Sequence, residues 1–121
     1  VTHEDWTIAS NIVSCQSGTA THSIILSFSN GILNRLSVVG NNIYNGSSTN
    51  ACIYAVGDTL NIAFIAANLT HGGLNGVLEA VNTVTNSAVG GNYFLGCATP
   101  VGGTWTYAAT SGTAADLPNF V

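Results

Sequence analysis

The chain has 121 residues, one of them basic (Arg35) and five acidic, so charge is 5% of the composition where soluble domains ordinarily carry about 25%. With a net charge of −4 it has no cationic surface to release counterions from a nucleic acid or to bind an anionic membrane. Its longest apolar stretches, such as Ile62–Ala67, fall well short of the roughly 20 residues that a membrane-spanning helix needs.

One domain is expected at this length. No composition break, proline-rich linker or repeat divides it, and neutral Thr, Asn, Ser and Gly must keep its surface wet. A chain that opens on Val1 and contains no methionine is expected to have lost a leader and to be secreted.

From the N-terminus, Trp6, Ile8 and Ile12 alternate with Thr7 and Asn11, the period of a strand with one buried face. Ser23–Ser29, Ile32–Val39, Ala51–Val56 and Thr59–Ala66 are short runs rich in β-branched and aromatic residues, separated by Asn30-Gly31, Gly40–Asn42 and Gly57-Asp58. Asn30-Gly31 between two apolar runs predicts a hairpin, and the polar run Asn41–Asn50 predicts an exposed loop. In Asn75–Thr85 the apolar residues Val77, Leu78, Ala80, Val81 and Val84 recur every three or four positions, which predicts a short helix capped by Asn75. Asn92–Cys97 and Thr104–Ala108 read as two further strands, and Ser111–Val121 as an extended tail.

Cys15, Cys52 and Cys97 are an odd number in an oxidising compartment. One intrachain disulfide with one remaining thiol is the simplest expectation, the pairing left open. Asn45-Gly46-Ser47 and Asn68-Leu69-Thr70 are N-glycosylation sequons. No Cys lies at zinc-module spacing from another Cys or a His, so neither metal nor cofactor is expected. Glu4, Asp5, Asp58, Glu79 and Asp116 offer no evident acid/base pair, and no Gly-x-Ser-x-Gly elbow occurs; no catalysis is expected.

In so uncharged a protein, recognition falls to aromatic rings flanked by amides and hydroxyls. Trp105 and Tyr107, placed alternately on one predicted strand, together with Trp6 and Tyr44, are the candidate ligand-binding residues.

Thr59–Ile65, then His71-Gly72-Gly73-Leu74-Asn75, then Leu78–Asn86 resemble the strand, glycine turn and helix of cerato-platanins, small secreted fungal proteins. Cys15, Cys52 and Cys97 stand near three of that family's four cysteines. Its Cys-Gly-x-Cys-Trp segment is reduced here to Asn50-Ala51-Cys52-Ile53-Tyr54, and its acidic residue after the long strand falls near Ala66.

The resemblance implies a mainly β fold, a double-psi β-barrel with one short helix; a β-sandwich of the same strands is the alternative. It also implies a secreted fungal, non-catalytic protein that modulates defence or immunity and binds cell-wall glycan weakly. The partners expected are a chitin-type or other cell-wall oligosaccharide, a host cell-surface receptor, or a second copy in a homodimer. A structural subunit of an extracellular fibre or pilus is the other functional expectation, suggested by low charge, abundant Thr, Ala, Gly and Asn, and an odd cysteine.

Overall fold

The computed structural model describes residues 2–16, 21–105 and 107–108. Among these lie β1 (Thr2–Ala9), β2 (Ile12–Cys15), β3 (Ile24–Val39), β4 (Asn42–Asn45), β5 (Ala51–Ala66), β6 (Leu69–Gly72), β7 (Asn75–Thr85), β8 (Ala88–Gly90), β9 (Tyr93–Leu95), β10 (Thr99–Gly102) and β11 (Tyr107–Ala108). Every pairing between them is parallel. One sheet runs β1-β3-β5-β7-β10, with β8 and β11 on a branch from β5; the other runs β2-β4-β6-β9, one strand per turn. The chain is a β-solenoid of about four turns, neither a barrel nor a sandwich.

Parallel stacking puts equivalent side chains one above another, and the core is a set of such columns. Ile8, Val38, Ile65 and Val89 form one; Val13, Ile43, Thr70 and Phe94 another; Ile24, Ile53, Val77 and Val101 a third. Val38, Ile43, Ile53, Ile65 and Val77 are wholly buried. Stiff β-branched side chains suit a column, where each packs on a copy of itself through the pleat.

A column of asparagines holds one corner. Asn11, Asn41, Asn68 and Asn92 follow at intervals of 30, 27 and 24 residues. The Oδ1 of Asn41, Asn68 and Asn92 each accepts both the backbone N–H and the side-chain N–H of the asparagine one turn before, at 2.9–3.1 Å. The amides of Asn41, Asn68 and Asn92 also donate to the carbonyls of Ile8, Val38 and Ile65. Before each asparagine the chain turns through a left-handed residue: Ser10, Gly40, Ala67 and Gly91 have φ between 55° and 65°. The corner therefore repeats as a unit, and the shrinking interval is why no repeat shows in the sequence.

Several sequence expectations are overturned. The predicted helix Asn75–Thr85 is strand β7, in register with β5 from Ala51↔Asn75 to Asn61↔Thr85. Within it Val77, Glu79 and Val81 are buried or half-buried at a period of two, and Val84 is the next half-buried residue, three positions on. That one odd step mimicked helical spacing. The double-psi barrel with one short helix fails because the strands stack in parallel turns and no helix occurs among the described residues.

Asn30-Gly31 makes no hairpin: β3 runs straight through it, and residues 29–31 bulge opposite Asp58, between the pairs Phe28↔Gly57 and Ile32↔Thr59. Asn42–Asn45, expected in an exposed loop, is β4, with Ile43 and Asn45 buried. The disulfide is absent. None of the three cysteines is in a disulfide, and each is set against a backbone carbonyl: Cys15 on Thr21, Cys52 and Cys97 on Gly72. The tail Ser111–Val121 lies outside the described residues.

Candidate functional site

The outward face of the second sheet carries Ser14, Tyr44, His71 and Leu95 in one column. Tyr44 and His71 lie with ring centroids 5.4 Å apart, tilted by 60°. Beside them the column continues through Asn45, Gly72 and Gly96, where the absent side chains open a groove of about 420 Å³. Its walls include Tyr44, His71, Ser47 and Ser48, and its floor Gly72, Gly73 and Gly96.

The backbone itself demands these glycines. Gly72, Gly73 and Gly96 have φ of 75°, 78° and 68°, and a Cβ on Gly72 would stand 2.3 Å from the Asn45 carbonyl oxygen. The rim is ordered by short-range bonds. Asn45 Oδ1 accepts the Ser47 N–H at 2.9 Å, and Ser47 Oγ accepts from Thr49 N and Asn50 Nδ2. Among the described residues no carboxylate or arginine lines the groove.

The other aromatic candidates do not join Tyr44. Trp6, 51% exposed, lines a separate cavity of about 320 Å³ at the first turn, with Ile25, Leu26, Phe28 and Leu33. Trp105 is half-buried against the core, and its Nε1 donates to the Gly102 carbonyl at 3.0 Å, a packing role. Tyr107 belongs to β11, paired with Ala88, and its side chain lies outside the described residues.

The sequon asparagines both point inward. Asn45 Nδ2 donates to the carbonyls of Thr21 and Ala51 and to Ser23 Oγ, and Asn68 Nδ2 to Val38 and Asn92. A glycan on either nitrogen would replace those buried bonds.

The described carboxylates are dispersed. Asp5 binds Arg35 in two-pronged fashion at 2.6 and 2.9 Å, which holds its pKa below the usual carboxylate range, and Glu4 joins the same guanidinium at 2.9 Å. Asp58 accepts from Asn82. Glu79 is buried, one oxygen taking the Val81 N–H and the other the N–H and hydroxyl of Thr104.

His71 and the three floor glycines are what sequence reasoning missed as site residues. His71-Gly72-Gly73 was visible only as a turn, and nothing local brings Gly96 to it, because they meet through a 24-residue stacking interval. Comparison of the chain with family models, with curated proteins and with solved structures finds no match.

Proposed function

We propose that the chain is a secreted, non-catalytic β-solenoid that binds a neutral cell-wall saccharide in the groove of Tyr44 and His71. The observation that carries this is a concave surface of two rings, two hydroxyls and bare backbone, with no carboxylate or arginine in it among the described residues. A sugar ring presents a C–H face to an aromatic ring and hydroxyls to the surrounding amides and oxygens. Absence of catalysis is supported by the carboxylates: Glu4 and Asp5 are committed to Arg35, and Glu79 to Val81 and Thr104. A defence- or immune-modulating role would work through the same neutral contact, since the single basic residue is already paired.

Titration with chitin oligosaccharides, read by calorimetry, tests it. Tyr44→Ala is expected to weaken binding about tenfold, the effect of losing roughly 1.4 kcal/mol of ring contact. Trp6→Ala, at the other concavity, is expected to leave it unchanged. Equal loss in both variants, or no binding by the unaltered chain to any neutral oligosaccharide, would refute the groove.

A fibre-forming role has one observation of its own. Among the described strands, Ile24–Phe28 of β3 has a neighbour on one side only, because β1 covers β3 from Ile32 onward. Beside this edge lies the Trp6 cavity, with Ile25 half-exposed. Head-to-tail stacking of a second copy there would continue the parallel register, and a heterologous contact of that kind does not close. Light scattering that grows with concentration, and stops growing in an Ile24→Pro variant, is the expected result: the Ser23 N–H donates to Ala51, so by strand alternation the Ile24 N–H faces the open edge. A monomer at every concentration rejects it.

A further inference from the structure

Behind the groove floor, two cysteines far apart in sequence converge. Cys52 is wholly buried at the start of β5, and Cys97 is half-buried after β9, flanked by the groove residues Gly96 and Ala98. Their sulfurs share one acceptor: the Gly72 carbonyl oxygen lies 3.0 Å from Cys97 Sγ and 3.6 Å from Cys52 Sγ. Thr70 Oγ1 stands 3.6 Å from Cys97 Sγ, and the His71 carbonyl 3.9 Å from Cys52 Sγ. The two sulfurs thus converge on one oxygen, and a hydrogen bond joins the Cys52 thiol to Cys97. Cys15, on the first turn, faces the Thr21 carbonyl instead.

We propose that Cys52 and Cys97 form a two-coordinate site for a soft monovalent metal cation of the Cu(I) and Ag(I) class. Thiolate sulfur is the soft ligand such ions select over nitrogen and oxygen. Two sulfurs satisfy an ion that accepts linear coordination, so the lack of a third His, Cys, Asp or Glu nearby among the described residues is compatible with this class. It does not suit tetrahedral zinc.

The pair is already prepared for it. A hydrogen bond from Cys52, helped by Thr70, lowers Cys97 to about 7, while the same bond together with burial raises Cys52. A soft cation takes the place of the proton held between the two sulfurs. Loading breaks the remaining S–H bonds, forms two sulfur–metal bonds and releases the protons to solvent; no electron is transferred. Cys97 is only half-buried, between the groove residues Gly96 and Ala98, which leaves the pair a side open to solvent.

The test is anaerobic titration of the reduced full chain with Ag(I), followed by sulfur-to-metal charge-transfer absorbance and by counting the thiols that still react. One equivalent should bind, protecting two thiols and leaving one. Cys15→Ser should bind as before with no reactive thiol left. Cys52→Ser and Cys97→Ser should each lose more than about 100-fold in affinity, beyond the cost of an outer-shell contact. Two thiols still reactive after one equivalent, three equivalents taken independently, or loss of binding in Cys15→Ser would each overturn the site. The thiol count on the unaltered chain decides the matter even where a variant does not fold.

Discussion

Asn68→Ala is expected to lower stability by about 4 kcal/mol, near the upper limit for a point substitution. Asn68 accepts two bonds from Asn41 and donates one to the Val38 carbonyl and one to Asn92 Oδ1. Alanine leaves the Asn41 N–H and amide and the Val38 carbonyl without these partners in a region closed to water. Each unsatisfied buried group costs about 1–3 kcal/mol.

The same change at Asn11, which is exposed on the first turn and only donates upward to Asn41 Oδ1, should cost about 1 kcal/mol. Asn68→Asp should be at least as harmful as alanine: it keeps the acceptor but cannot donate, and it sets a charge against the Val38 carbonyl. Urea unfolding at unchanged m-value measures all three. If Asn11→Ala and Asn68→Ala cost the same, the column is not what clamps the turns.

This column also explains how little of the architecture could be read in advance. Strand character was legible in most runs, because alternation such as Ile25-Leu26-Ser27-Phe28 depends on one strand having a buried and an exposed face; Trp6-Thr7-Ile8 is a strand too, but Trp6 and Thr7 are both exposed. The path of the chain was not. Asn30-Gly31 has the composition of a hairpin, yet parallel neighbours hold both flanks in one strand, and the excess residues are expelled as a bulge. The asparagines looked like loop punctuation one at a time. Only their mutual bonds show them to be a repeat, and unequal intervals hide it from any fixed-period search.

The candidate site fared similarly. Tyr44 was legible as an aromatic in a polar setting, but His71 and Gly96 reach it only through stacking. Trp105 carried the strongest expectation for a ligand and is occupied with Gly102. A low-charge sequence points to aromatic recognition in general, and an indole N–H buried beside a carbonyl satisfies the same composition.

Gly76→Val is expected to be the other severe substitution, for a reason opposite to that at Asn68. Gly76 sits in β7 of one sheet, and Phe94 crosses the interior from β9 of the other to lie against it. A Cβ on Gly76 would stand 2.2 and 2.3 Å from two ring carbons of Phe94, and 2.9 Å from the Pro100 carbonyl oxygen. The missing side chain is the socket into which the ring fits, and this contact ties the two sheets together; Gly57 makes room for Phe28 too, but that ring belongs to the adjacent strand of the same sheet.

Valine should therefore destabilise by about 3 kcal/mol through overpacking, and Phe94→Ala alone by about 3–5 kcal/mol through the cavity it leaves. Combined, they should cost clearly less than the two losses added, with a favourable coupling of about 1–3 kcal/mol, because the new methyls occupy space the ring has vacated. Additive losses in the double variant would show that the harm at Gly76 comes from the strand backbone or from Pro100, and that Phe94 does not hold the sheets together through this socket.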